Sequence, residues 1–72
     1  MGVYTDGTHL IADTVDELHV FALIIGLKVN WFQPHPKHPH YDITSKAIKQ
    51  RAINNGAILV TSKDIINIFK KK

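Results

Sequence analysis

The apolar residues between positions 14 and 26 recur at the spacing of an α-helix. One face of this segment collects Leu18, Phe21, Ala22 and Ile25. Thr14, followed three residues later by Glu17, matches the capping box that begins many helices, and Gly26 is a typical helix stop. The pattern therefore predicts a first helix over residues 15–25.

The opposite face of this helix is also apolar. Val20 and Leu23 lie near Asp16, on the side that solvent normally covers. A second apolar face is buried either by another element or by a second copy of the chain. In a chain of 72 residues we expect a homodimer through the first helix.

Three short runs rich in β-forming residues predict strands. They cover residues 3–5, 28–32 and 57–61. The last is a continuous apolar run, typical of a strand that is covered on both faces of its sheet. Residues 9–12 fit either an extended lead-in to the first helix or a short additional strand.

Capping residues predict two further helices. Thr44 or Ser45 begins the second, which runs to about residue 54 before an Asn-Gly stop. Its core contacts are expected at Ile48 and Ala52. Ser62 begins the third, and the apolar anchors of that helix are Ile65, Ile66 and Phe69.

Strands and helices alternate along the chain. This order predicts a single domain over residues 1–72, an α/β fold with a small three-stranded, mainly parallel sheet and three helices (β-α-β-α-β-α). Residues 70–72 form a basic tail that we expect to fray. In such a sheet, strand carboxyl ends and helix N-termini share one edge, where ligands bind. That edge collects Asp6, His9, Asp13, Gln33, His35, His38, His40, Asp42, Ser45, Ser62 and Lys63.

Composition narrows the possible classes of protein. Hydrophobic residues make up 44% and charged residues 21%, as in folded globular domains. The absence of cysteine excludes disulfides and thiolate zinc sites and fits a cytoplasmic protein. We expect no signal peptide, because the N-terminal residues show no basic region followed by an apolar run. We expect no membrane partner, because the longest apolar run, residues 20–25, is too short to cross a bilayer. Three terminal lysines supply much of the net charge of +3, so support for nucleic-acid binding is weak.

Residues 31–44 contain three of the five histidines and all three prolines. A packed core gains little from His-Pro repeats, whereas binding and catalysis often use imidazoles. His40 and Tyr41, at the entry to the second helix, predict an anion-binding corner, and Asp42 is either part of it or an accessory to the helix cap. Trp31 and Gln33 resemble a base-stacking wall with an amide that reads the edge of a base.

Several motifs span nearly the whole chain in a fixed order. They are His-Leu-Ile-Ala-Asp-Thr, Glu-Leu-His-Val-Phe-Ala, Trp-Phe-Gln and His-Pro-His-Tyr-Asp-Ile-Thr. This set resembles an uncharacterised family of bacterial and phage proteins, the domain of unknown function 4031 family. The resemblance implies a small cytosolic or phage-encoded protein and no particular reaction. Typical members carry a second acidic residue where this chain has Gly7, which counts against a two-carboxylate metal site in the first loop.

The polar residues at the predicted edge of the sheet favour a site for a nucleotide or a phosphate ester. The sequence does not decide whether the protein only binds this ligand or also hydrolyses it. Ser45 and Ser62, at helix N-termini, would hold the anion, and His40 with Asp6 would transfer a proton. Ligand contacts are expected from His9, Trp31, Gln33, His38, Tyr41, Asp42, Ser45, Ser62 and Lys63.

Two other functions remain open. One is a metal-dependent, nuclease-like enzyme that holds a divalent ion with Asp6, His9 and His40. The other is a non-catalytic module, dimeric through the first helix, that grips a protein or nucleic acid with its histidine loop. His9, Asp13 and His19 could also bind a metal ion or relay a proton. Ordinary packing competes with function at His19 and at Trp31, because a small core also uses such side chains.

Overall fold

The computed structural model describes residues 2–70 of the chain. Its strands are β1 (Val3–Thr5), β2 (His9–Ala12), β3 (Phe32–Gln33), β4 (His40–Asp42) and β5 (Ile58–Leu59). Its helices are α1 (Val15–Ile24), α2 (Lys46–Asn54) and α3 (Ser62–Lys70), with a 3₁₀ turn at Val29–Trp31.

The strands of the described residues form one mixed sheet in the order β3-β4-β2-β1-β5. Three neighbouring pairs, β3–β4, β4–β2 and β2–β1, are antiparallel, whereas β1 and β5 run parallel. The three predicted helices are present. The predicted three-stranded, mainly parallel sheet is wrong, because the sheet has five strands and is mostly antiparallel.

A tight turn after β1 explains most of this difference. Gly7 has a φ of 95°, which glycine adopts without steric cost. Asp6 Oδ1 accepts hydrogen bonds from the backbone N–H groups of Thr8 and His9, both at 2.8 Å. The chain therefore reverses at once, and β2 runs back along β1 instead of crossing over to a parallel neighbour. Of the two alternatives for residues 9–12, the additional strand is confirmed.

Two predicted strands are shorter than their sequences suggested. Most of residues 28–32 forms the 3₁₀ turn, and only Phe32 continues into β3. In residues 57–61, only Ile58 and Leu59 pair with β1. Both side chains are exposed because β5 is an outer strand, so the prediction of a strand covered on both faces is wrong.

The helices begin and end close to their predicted positions. Thr14 Oγ1 accepts a hydrogen bond from the Glu17 N–H at 3.1 Å, and α1 ends just before Gly26, whose φ is 88°. Ser45 caps α2 in the same way, because its Oγ accepts from the Ile48 N–H at 3.2 Å. Local capping chemistry therefore sets these boundaries.

The hydrophobic core lies between one face of the sheet and helices α1 and α2. Its buried residues are Leu10, Ala12, Leu18, Phe21, Ala22, Ile25, Leu27, Tyr41, Ala52 and Ala57. Alternation along β2 sends Ile11 to the other face, where it lines a cleft together with Ile65 and Ile66 of α3. Helix α3 therefore lies against the second face of the sheet.

The second apolar face of α1 is exposed to solvent. Leu23 is 70% exposed, and Val20 and Ile24 are exposed beside it. The homodimer through this face stays a prediction.

All three helices are short. Helix α1 has 10 residues and the other two have 9 each, and none of the described helices is long and apolar enough to span a lipid bilayer. Helix α3 ends at Lys70, the first residue of the predicted basic tail. Residues 71 and 72 lie outside the described residues, so the fraying of this tail stays a prediction.

Candidate metal centre

Strands β2 and β4 bring two histidines and an aspartate together on the α3 face of the sheet. The register pairs His9 with Asp42, and His40 lies two residues before Asp42, so the three side chains share one face. The rings of His9 and His40 meet edge to face, with centroids 5.3 Å apart. One potential ligand atom from each residue lies within 4.8 Å of the other two. This spacing suits a single metal ion.

The ring of His9 is oriented by Asp6. His9 Nδ1 lies 3.1 Å from Asp6 Oδ2. A carboxylate only accepts hydrogen bonds, so Nδ1 carries a proton, and in the neutral imidazole Nε2 then carries the lone pair. Carboxylate–histidine pairs of this kind set the tautomer and raise the basicity of metal-binding imidazoles.

The ring of His40 is also oriented through its Nδ1 atom, in this case by a backbone carbonyl group. Its Nδ1 lies 2.7 Å from the carbonyl oxygen of His38, which also only accepts, so this ring too presents Nε2. His40 Nε2 lies 3.3 Å from Asp42 Oδ1. A lone pair and a carboxylate at that distance repel each other unless a cation, a proton or a metal ion, lies between them.

Asp6 connects the turn, the histidine and α3. Its side chain is only 5% exposed. Burial alone would raise the pKa of this carboxyl group, but hydrogen bonds from the His9 and Thr8 backbone, the His9 ring and the Ser62 hydroxyl outweigh burial and hold the pKa well below its usual range. The Ser62 hydroxyl donates to Oδ2 at 2.9 Å. Asp6 is therefore an ionised acceptor that holds Ser62, the first residue of α3. The prediction that Ser62 caps this helix is wrong, because the cap is Thr61, whose Oγ1 accepts from the Asp64 N–H at 3.1 Å.

A cleft of about 240 Å³ opens beside the two imidazoles. It is lined by Asp6, His9, Ile11, His38, His40, Ser62, Ile65, Ile66 and Phe69. Ile11 and Ile65 are buried and form its floor, whereas Ile66 is 51% exposed at its rim. The cleft therefore joins an apolar floor to a polar end that contains both histidines.

The proline-rich loop supplies an aromatic wall to this cleft. The rings of His35 and His38 stack with centroids 5.3 Å apart, and His38 meets Phe69 of α3 edge to face at 4.7 Å. His35 Nδ1 accepts hydrogen bonds from the N–H groups of Lys37 and His38, both at 3.2 Å. The loop is thus held by its own histidine, and His35 lies outside the cluster of His9, His40 and Asp42.

The other face of the sheet carries a separate histidine contact. Tyr41 is 1% exposed, and its hydroxyl lies 2.7 Å from His19 Nδ1. Burial raises the pKa of Tyr41, which keeps the hydroxyl protonated. The ring of Phe32 packs on His19 with centroids 4.5 Å apart. His19 and Tyr41 therefore belong to the core side of β4, away from the cluster.

Most of the predicted ligand contacts meet on the α3 face. Asp6, His9, His38, His40 and Ser62 all line the cleft, and Asp42 completes the cluster. Gln33 is paired with His40 across β3 and β4, so it lies directly beside the centre.

Four predicted contacts lie elsewhere. Tyr41 points into the core, so it shares no corner with His40. Trp31 belongs to the 3₁₀ turn, with Lys28 Nζ 5.7 Å from its ring centroid, and it does not line the cleft. Ser45 caps α2, and Lys63 is exposed on α3.

The structure exchanges the positions of two carboxylates relative to the sequence-based hypothesis of a metal site. Asp42, not Asp6, forms the cluster with His9 and His40, and Asp6 instead contacts His9 Nδ1 from outside the cluster. The apolar part of the cleft was missed, because Ile66 and Phe69 were interpreted only as core anchors of the last helix. A sequence signal for this apolar lining does exist. Ile66 and Phe69 follow Ser62 at helical spacing, so all three residues lie on one face of α3.

The chain belongs to the family described as "Protein of unknown function (DUF4031)", which matches residues 4–72. The resemblance seen in the sequence motifs is thereby confirmed. No curated protein and no solved structure matches the chain significantly.

Proposed function

We propose that this member of the family binds one divalent transition-metal ion through His9, His40 and Asp42, and that the ion in turn binds a phosphate ester. The observation that supports this most strongly is the orientation of both imidazoles. Asp6 holds one ring and the carbonyl group of His38 holds the other, so both neutral rings would present the lone pair of Nε2 to a metal ion.

The set of donors favours zinc, iron or manganese over magnesium or calcium. Imidazole nitrogen suits first-row transition metals, whereas magnesium and calcium prefer oxygen ligands throughout. Two histidines and one carboxylate form the set used by many mononuclear catalytic sites.

Three protein ligands leave coordination positions open. Structural zinc sites are closed by four protein ligands, whereas sites that bind a substrate keep a position for water or for that substrate. Two neutral imidazoles and one carboxylate do not cancel the charge of a divalent ion, so the centre attracts an anionic oxygen. A phosphate ester supplies such an oxygen.

The same centre has the means for hydrolysis. A divalent ion lowers the pKa of a bound water and polarises a phosphoryl oxygen. Attack of a water molecule on phosphorus would form one P–O bond and break the ester P–O bond, and the leaving alkoxide would take up the proton that the attacking water releases. Binding and turnover are therefore measured together.

The test begins with metal-free protein titrated with zinc and with cobalt at neutral pH. We expect one ion per chain by calorimetry, and visible absorption of bound cobalt with intensity typical of low coordination number. His40→Ala and Asp42→Asn should weaken zinc binding by more than the roughly 10–100-fold that loss of an outer partner costs. Phosphate release from small phosphate esters is followed in the same samples.

A matched control distinguishes the cluster from general histidine binding. His35→Asn removes an imidazole that lies outside the cluster but keeps a side-chain acceptor for the N–H groups of Lys37 and His38, so it should leave the zinc affinity unchanged. Absence of stoichiometric zinc binding by the wild-type protein, or equal losses in His35→Asn and His40→Ala, would show that the contact between His40 and Asp42 is only a proton-mediated ion pair.

A further inference from the structure

The cleft beside the proposed metal centre has a composition that the metal alone does not explain. One end carries His9 and His40, while the floor and rim consist of Ile11, Ile65 and Ile66. A bare phosphate on the ion would leave this apolar surface in contact with water. The ligand that fits both ends carries an anionic group and an apolar ring.

We propose that this ligand is a nucleoside monophosphate, with its phosphate on the ion and its base in the cleft; the inference rests on the proposed metal-dependent function. Charge favours the phosphate at the histidine end, and the apolar residues favour the flat base at the other end.

Two features favour a base over an aliphatic chain. The cleft is bordered by the rings of His38 and Phe69, which pack at 4.7 Å, and aromatic rings bind bases by stacking. Its volume of about 240 Å³ exceeds the roughly 150 Å³ that suffices for a benzene ring. The space therefore admits a base, and the aromatic border favours a base over an acyl chain.

An amide also lies at the phosphate end of the cleft. Gln33 is exposed and lies opposite His40 in the β3–β4 register, on the same face as the cluster. Its NH₂ group donates hydrogen bonds, which the oxygens of a phosphate accept. Gln33 would therefore support the phosphate at the histidine end, and it does not line the apolar end of the cleft.

The test compares phosphate ligands with and without a base. Zinc-loaded wild-type protein is titrated by calorimetry with adenosine 5′-monophosphate, ribose 5-phosphate, inorganic phosphate and a short single-stranded oligonucleotide, while phosphate release is monitored. We expect adenosine 5′-monophosphate to bind about tenfold more tightly than ribose 5-phosphate, as stacking of one base allows. Equal affinities for these two ligands would overturn the inference, and so would a preference for an oligonucleotide over the monophosphate.

Two variants locate the base. Ile66→Ser changes the rim of the cleft and should reduce the preference for adenosine 5′-monophosphate to about threefold or less, with zinc affinity unchanged. Ile24→Ser is the matched control, because Ile24 is similarly exposed (61%) but lies on α1, outside the cleft. Equal preferences in both variants would contradict the position of the base.

The wild-type titrations distinguish failure of this inference from failure of the metal proposal. If wild-type protein binds no zinc, both fail. If it binds zinc but shows no preference for the ligand with a base, only this inference fails.

Discussion

Replacing Asp6 by asparagine keeps the size of the side chain and turns one oxygen into an amide nitrogen. The remaining oxygen can still accept from the backbone amides of Thr8 and His9. The new NH₂ group would stand where Oδ2 now lies, 3.1 Å from His9 Nδ1 and 2.9 Å from Ser62 Oγ. His9 then accepts through Nδ1, so its proton moves to Nε2, the nitrogen that the metal ion requires. We expect zinc affinity to fall by about 10–100-fold, as for other outer partners of metal-binding histidines.

The same substitution weakens the fold in a way that depends on pH. It removes a charged acceptor whose side chain is only 5% exposed, and two of its hydrogen bonds are lost or reversed. Allowing for solvent around His9, which is 44% exposed, we expect the free energy of unfolding to fall by about 1–2 kcal/mol at neutral pH.

The sign of the pH dependence follows from the lowered pKa of Asp6. A carboxyl group with a depressed folded pKa contributes stability above its unfolded pKa, near 3.9, and loses that contribution as the pH falls through the folded pKa. The difference between wild type and Asp6→Asn should therefore be constant from about pH 7 to about pH 5 and narrow below about pH 4.

Urea unfolding followed by circular dichroism at several pH values measures this difference, and zinc titration of the same proteins measures the metal effect. Asp16→Asn is the control, because Asp16 is exposed in the first turn of α1 and does not contact the centre. A stability difference that does not narrow at low pH, together with unchanged zinc affinity, would refute the assigned role of Asp6.

Three further outcomes are expected. Tyr41→Phe removes the hydroxyl that meets His19 and should lower the free energy of unfolding by about 1 kcal/mol in urea titrations, and an unchanged value would contradict the bond. Gly7→Ala should cost about 1–2 kcal/mol in the same assay, because an L-residue is strained at a φ of 95°; a neutral effect would argue against this turn. Leu23→Glu should convert a dimer into a monomer in light scattering, and a wild-type monomer at high concentration would exclude this interface.

The helices could be predicted because their boundaries depend on nearby residues. Thr14 and Ser45 cap amides three positions ahead of them, and Gly26 supplies a backbone conformation that stops α1. Each signal lies within one turn of the element that it delimits, so it can be found without knowing the rest of the fold.

The sheet could not be predicted in the same way, because its pairs join distant segments. His9 lies opposite Asp42 only because β2 pairs with β4, and a strand of three or four residues carries too little periodicity to specify its partner. An alternating β-α pattern then favoured parallel crossovers. The edge position of β5 is equally nonlocal, since Ile58 and Leu59 look like core residues until the strand order is known.

The candidate site was partly predictable for a related reason. Its residue types stand out in the sequence, so Asp6, His9 and His40 were singled out together. Which carboxylate joins the cluster depends on the antiparallel register. This register places Asp42 opposite His9, whereas Asp6 contacts His9 from outside the cluster and orients its ring. Parallel strands would have given a different set of neighbours.

Strand β4 has a consequence for how faithfully the chain must fold. Its three residues alternate between the two faces, with His40 and Asp42 towards the centre and Tyr41 towards the core. A slip of one position would expose the tyrosine and bury two polar groups without partners, which is costly. Errors in strand alignment would therefore disable the site and destabilise the protein at once, so a misaligned chain cannot persist as a stable but inactive form.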